Sequence, residues 1–306
     1  MERYIRTDLA VELQEEISEK SLLQGVEIFT RYSKDRKIKE TKIDVIDEQG
    51  AKILGKPIGT YITLESCELR GSDEDIHKPL VDMLHKNLKE LIKENDKILV
   101  IGLGNREVTP DALGPYVVDN LYITRHLLSE GIIENAREIS AISPGVMAQT
   151  GIETGVILKA LCKEVKPDII IAVDALAARE PSRLNSTIQL CDTGISPGAG
   201  VGNNRIKLNE ETLGVKVIAI GVPTVISVPA IINQAIDNML EVFSENGSNL
   251  EEKLSEEEKY TIASQLIEPD LATMFVTPKN IDEAVKRISY TISEAINNLF
   301  ELSKEK

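Results

Sequence analysis

The sequence predicts an α/β fold, three-layered around a central and mostly parallel sheet, with an N-terminal elaboration. Three observations carry this expectation. Four runs are apolar almost without interruption: KILVIG at 97–102, REISAI at 137–142, DIIIAVDAL at 168–176 and VKVIAIGVP at 215–223. Strands that read this way are buried on both faces, as in parallel sheets covered by helices. Stretches with helical spacing alternate with them, at 110–128, 152–164 and 229–243. Trp is absent and aromatics are only 4 %, so the core must be built from Ile, Leu, Val and Ala.

Each element has a local reason. The helix at 110–128 opens with Pro110, tolerated in a first turn where the missing N–H costs nothing. The strand at 137–142 ends in a Gly-Pro-rich turn before the helix at 152–164. Ahead of this core, the N-terminal third is more charged and offers short strands such as KIDVID at 42–47 and GTYITLES at 59–66. Residues 244–259 are polar and acidic and read as a surface excursion before a last helix at 281–302. There is no internal repeat, and one α/β domain with its elaboration is expected.

Composition narrows the function. Lys plus Arg total 35 against 50 Asp plus Glu, a formal charge of -15 that repels nucleic acid and anionic membrane on average. MERYIR at the start is too short and charged for a signal peptide, and no apolar run is long enough to span a bilayer. Cys67, Cys162 and Cys191 are odd in number and form no CxxC, so buried free thiols in a reducing cytoplasm are expected.

The chemistry-bearing residues collect after the strands. GLGNREVTPDALGP at 102–115 resembles a dinucleotide loop, but Glu107 stands where the third glycine belongs and would repel a pyrophosphate. What the loop does place is Asp111, at a helix N-terminus. Asp174 ends IIIAVD, the most apolar strand, where an ionised group needs a partner or a task. If these two strands are neighbours, the crevice beyond their carboxyl ends receives both aspartates. Two carboxylates in one site acquire separated proton affinities, so one can take a proton from water while the other donates to a leaving amine. Glycine-rich loops at 142–155, 192–205 and 221–227 shape the same rim. DTG at 192–194 occurs in an α/β context, unlike the all-β pepsin-like proteases. His77, His85 and His126 fall in amphipathic stretches, are expected on solvated helix faces, and offer neither a zinc site nor a nucleophile's base.

Taken together, RTDLAVE near the start, GTYITLES, GLGNREVTPDALGP, SPGVMAQTGIETG, VDALAAR, DTGISPGAGVGNNR and GVPTVIS resemble the germination proteases of spore-forming bacteria over nearly the whole chain. The resemblance implies a fold related to the hydrogenase maturation endopeptidases, and an aspartic-type, metal-independent endopeptidase without cofactor, with Asp111 and Asp174 as its catalytic pair. It implies small acid-soluble spore proteins as substrates, a homotetramer, and a place in the forespore and spore core. The substrates are cut after an acidic residue in a Thr-Glu-aliphatic-Ala-x-Glu type of sequence, and Thr7-Asp8-Leu9-Ala10-Val11-Glu12 is similar to it. A zymogen is therefore expected, with residues 1–8 as propeptide, 9–306 as the protease, and self-cleavage between Asp8 and Leu9. Activity could then depend on pH, with Asp111 ionising easily and Asp174 holding its proton longer. Asn105, Arg179 and Arg205 are candidates for substrate binding, the two arginines for the acidic residue before the cut. The alternatives are a metal-dependent maturation endopeptidase of the hydrogenase-processing type and a non-catalytic spore-protein binding module.

Overall fold

A computed structural model describes residues 7–15, 17, 23–71, 74–198, 205–245, 258, 261–262, 268 and 270–300. In chain order the strands are β1 (Val26–Tyr32), β2 (Lys39–Val45), β3 (Gly59–Glu65), β4 (Ile98–Gly102), β5 (Ile139–Ile142), β6 (Ile169–Ala178), β7 (Thr187–Cys191), β8 (Lys216–Ser227) and β9 (Phe275–Val276). The helices are α1 (Ala10–Glu15), α2 (Glu48–Leu54), α3 (His77–Leu91), α4 (Leu113–Asp119), α5 (Arg125–Ser129), α6 (Met147–Thr150), α7 (Thr154–Val165), α8 (Glu210–Leu213), α9 (Val228–Glu245) and α10 (Ile281–Asn297).

The four apolar runs form the parallel part of one sheet, in the order β8-β6-β4-β5. β4, β6 and β8 are buried on both faces, as their apolar sequences require, whereas β5, at the sheet's edge, is mostly half-buried. One face packs on α3, α4 and α10 through Leu80, Leu84, Leu113, Val117, Ile288 and Ile292. The opposite face meets α7 and α8 through Leu158, Cys162 and Leu213. The N-terminal elaboration does not stand apart: β1-β2-β3-β7 continues the same sheet antiparallel, joining β8 through β7. KIDVID and GTYITLES supply β2 and β3.

The expected long helix at 110–128 is broken into a 3₁₀ turn at Thr109–Asp111, then α4 and α5. Thr124 breaks it. Its N–H donates to the Ile139 carbonyl, its hydroxyl donates to the Arg137 carbonyl at 2.6 Å, and that oxygen accepts from the Ile139 N–H at 2.7 Å. The chain is thereby drawn alongside β5 instead of continuing the helix. The last helix ends at Asn297, where buried Arg137 gathers the Leu299, Lys93 and Asp96 carbonyls. Of the acidic excursion, residues 244–245 finish α9, and 246–257 and 259 lie outside the described residues.

Two expectations are corrected in detail. Cys67 is exposed, because it opens a 3₁₀ turn on the surface, whereas Cys162 and Cys191 are buried free thiols. His77 and His85 are half-buried between α3 and α10: His77 contacts Thr291 and Glu294 and stacks on Tyr290, and His85 faces the Ala295 carbonyl. His126 alone is exposed.

Candidate active site

The site follows from two strands of unequal length. β4 stops pairing at Gly102, opposite Val173, and the Leu103 N–H adds one more bond to the Val173 carbonyl at 2.8 Å. β6 runs on to Ala178, so Asp174 is the first residue beyond its neighbour's end and does not terminate the strand. From β4 the chain crosses to β5 on one side and then returns past β4 to β6, so the strand order reverses between β4 and β6. This is the position at which open α/β sheets leave a crevice.

At that crevice Gly104 turns the chain away with φ +106°, and an added Cβ would lie 2.0 Å from the Asp111 carbonyl oxygen. The turn aims the Asn105 N–H at Asp111 Oδ2, 2.8 Å away. Asn105 Oδ1 accepts from the Glu107 N–H and from Gln149 Nε2, tying the loop to α6. Thr224 Oγ1 donates to the Pro110 carbonyl at 2.7 Å and anchors the loop to β8. Gly114 lets α4 lie directly on the strands, since a Cβ there would come within 2.6 Å of Leu103 backbone and the Val173 carbonyl.

The two aspartates are electrostatically joined. Asp174 is 6 % exposed. Burial, then Asp111, then Asp8 raise its carboxyl well above the ordinary range, against the Ala175 N–H and Arg205, which favour the anion. Asp111 is also raised by burial, opposed by the Asn105 N–H and Arg205. The easy ionisation expected of Asp111 is thus not found, because desolvation of its half-buried carboxyl outweighs the Asn105 N–H and Arg205, although Asp174 remains the more strongly perturbed.

The overhang of β6 carries the N-terminal segment. The Asp8 N–H donates to the Ala177 carbonyl at 3.2 Å, and Asp8 Oδ2 accepts from the Ala177 N–H at 3.0 Å. Leu9 and, in α1, Ala10, Val11 and Leu13 are buried against Leu54, Tyr61, Leu176 and Cys191. Glu12, 0 % exposed, accepts from the Arg179 and Glu180 N–H groups at 2.9 and 3.0 Å and from the Thr7 hydroxyl. Arg183 binds Glu15 at 2.7 Å and Glu65 at 3.1 Å, with Glu12 at 3.8 Å, so α1 is tied to β3 as well. A cavity of about 340 Å³ lies beneath Thr7 and Asp8, bordered by Lys56, Tyr61, Gln189, Thr193 and Gly221.

The residues singled out in the sequence fall in three places. Asp111, Asp174 and Asn105 share the crevice, and Arg205 acts on both aspartates. Asp8 and Leu9 lie along the overhang, with Asp8 close enough to raise Asp174. Arg179 contacts Glu12, through its backbone N–H and through Nη2 to the Glu12 carbonyl at 3.2 Å. Residues 199–204 of the glycine-rich loop lie outside the described residues. Asp192 of DTG accepts from the Thr60 N–H at 2.8 Å, a structural bond that shapes the turn after β7.

Sequence reasoning missed Lys56 and Gln189, which both reach the Asp8 carbonyl oxygen, at 2.9 and 3.2 Å. Gln189 did carry a signal, as a polar residue inside the buried strand TIQLC. Lys56, in a turn after α2, carried none. Among the described residues no three His, Cys, Asp or Glu side chains gather as a metal site, and no helix is long and apolar enough to cross a membrane.

Fold and site together define an α/β protein with an interacting pair of carboxylates, one buried and one half-buried, at the reversal point of its sheet. The family model for germination protease matches residues 5–253. The germination protease of Clostridium tetani is 45 % identical over 306 residues, covering 96 % of this chain and 94 % of the relative. That of Caldanaerobacter subterraneus subsp. tengcongensis is 43 % identical over 304 residues, covering 96 % and 93 %. The chain belongs to the germination protease family and is a protease. Among solved structures, a [NiFe] hydrogenase maturation protease, HycI of Thermococcus kodakarensis, aligns over 69 % of this chain and 99 % of its own at 16 % identity and a TM-score of 0.34.

Proposed function

We propose that the protein is the endopeptidase that begins the breakdown of small acid-soluble spore proteins at germination, made in the forespore as a zymogen that cuts itself between Asp8 and Leu9. The observation that carries this reading is the closeness of the segment holding the bond to be cut, paired along the β6 overhang at Ala177, to the aspartate pair, since Asp8 helps to raise Asp174. Asp174 stays protonated longest, because burial and two neighbouring carboxylates oppose its charge. It is the proton donor to the leaving amine. Asp111 has the Asn105 N–H and Arg205 to support its anion, and takes the proton from the attacking water. The water oxygen bonds to the carbonyl carbon, the C–N bond breaks, and the products are a new carboxylate at Asp8 and an amine at Leu9. No metal is assigned a step. The working enzyme is a homotetramer.

The test is cleavage of a purified small acid-soluble spore protein with a chelator present, comparing wild type with Asp111→Asn and Asp174→Asn. Wild type is expected to cut after the acidic residue in chelator, and each variant to lose at least ~10²-fold while remaining folded. Inhibition of the wild type by chelator, or near-normal activity in either variant, rejects the carboxylate pair.

A further inference from the structure

Two side chains from separate parts of the fold converge on one backbone oxygen. Lys56 follows α2, whose C-terminal turn is closed by Gly55 at φ +69°. Its Nζ lies 2.9 Å from the Asp8 carbonyl oxygen. Gln189 stands in the middle of β7, held by its pairing with Thr63 on β3 and Gly221 on β8. Its Nε2 reaches the same oxygen at 3.2 Å, while its Oε1 accepts from the Ala10 N–H at 2.7 Å. One amide therefore grips the chain on both sides of the Asp8–Leu9 peptide, and a second donor completes the hold on its oxygen. Gln189 is 7 % exposed, so its donor is fixed by packing before any reaction begins.

We infer that Lys56 and Gln189 form the oxyanion-binding pair of this protease. The inference rests on the proposed cut between Asp8 and Leu9. When water adds to that carbonyl, its oxygen gains a full negative charge. A fixed amide donor and an ammonium stabilise this charge more than they stabilise the neutral carbonyl, and only such a difference speeds a reaction. The pair also divides the chemistry. With the oxygen held by Lys56 and Gln189, neither Asp111 nor Asp174 has to protonate it. Their one shared proton is free for the leaving nitrogen. The water's proton passes to Asp111, the proton of Asp174 goes to the nitrogen of Leu9, and the C–N electron pair leaves with that nitrogen.

A purely structural role, in which the two side chains only moor the N-terminal segment, makes a different prediction. The experiment follows release of residues 1–8 from the full-length chain by mass spectrometry, beside hydrogen exchange of the amides of residues 9–13. Lys56→Met, Lys56→Arg and Gln189→Glu are compared with wild type. Lys56→Met is expected to slow release ~10²-fold with amide protection unchanged, and Lys56→Arg to recover most of the rate. Gln189→Glu keeps the acceptor for Ala10 and loses the donor, and is expected to slow release at least tenfold. Release within threefold of wild type in both Lys56→Met and Gln189→Glu overturns the inference. Slowing matched by an equal loss of protection overturns it too, because mooring then explains the effect. A wild-type chain that never releases residues 1–8, or is cut at another bond, overturns the proposed function itself.

Discussion

Glu12 is the strongest single hold on the N-terminal segment, and its removal tests how that segment is kept against β6. In Glu12→Ala the Arg179 and Glu180 N–H groups, at 2.9 and 3.0 Å from the carboxylate, lose their acceptor. A buried donor left unsatisfied costs ~1–3 kcal/mol, and the lower half of that range applies because Arg179 and Glu180 are only half-buried and water can reach them. Two such donors cost about 2–4 kcal/mol. Loss of the one buried methylene, Cγ, adds ~0.8 kcal/mol. The sum, about 4 kcal/mol, corresponds to roughly a thousandfold rise in the population with the segment detached. Hydrogen exchange of the α1 amides reads this directly. Their protection should fall by about that factor, while amides in β4 and β6 change far less. Burial raises the Glu12 carboxyl above its usual range. The folded protein therefore holds a proton there that the unfolded chain has released. The stability linked to Glu12 is full below the ordinary glutamate range and is lost as pH rises through its raised folded value. Glu12→Gln, neutral at every pH, should keep most of the protection and abolish that loss. Protection of α1 in Glu12→Ala within threefold of wild type would refute the assignment of Glu12 as the hold.

Asp174→Asn should be more stable than wild type near pH 7, as measured by urea unfolding, since its raised carboxyl costs stability as pH climbs from the ordinary aspartate range through its folded value. The gain should vanish near pH 3, where wild type is also neutral, and a gain independent of pH would contradict the burial argument. Gly104→Ala forces a side chain into φ +106° and against the Asp111 carbonyl. It should cost at least ~1–3 kcal/mol in unfolding experiments, with loss of activity even under conditions where the protein remains folded.

The parallel half of the sheet was legible because β4, β6 and β8 are apolar on both faces, a pattern that surface strands do not show. The same pattern exposed Asp174, since a carboxylate inside IIIAVD has no cheap explanation. What could not be read locally depended on partners distant in sequence. The break after α4 is made by Thr124 bonding to Arg137 and Ile139, and nothing in residues 110–128 announces it. The overhang of β6 exists only relative to the length of β4, so the placement of Asp174 before the strand's end was hidden. His77 and His85 read as surface residues on α3 because α10, which covers them, lies more than two hundred residues later. Lys56 was invisible for the same reason: its task is defined by a carbonyl 48 residues upstream.

The unequal hold on either side of the Asp8–Leu9 bond decides which fragment would leave after a cut there. On the amine side, Leu9, Ala10 and Val11 are at most 1 % exposed, and Glu12 and Glu15 are tied to Arg183 and to the backbone after β6. On the carboxyl side, Asp8 has a backbone pair with Ala177, its carboxylate on the same residue, and the two donors to its carbonyl. Cleavage at this bond would add a second negative charge at Asp8, whose first charge already acts on Asp174. Repulsion of that kind acts at short range in a buried site, where water screens it poorly. Leu9, carrying the new amine, would stay, held by the apolar burial of its side chain, which the cut does not alter. Self-cleavage would thus drive the leading octapeptide out and leave α1 in place. The donors on Lys56 and Gln189, and the backbone of Ala177, would then be open to the carbonyl and the acidic side chain of the next chain to be cut.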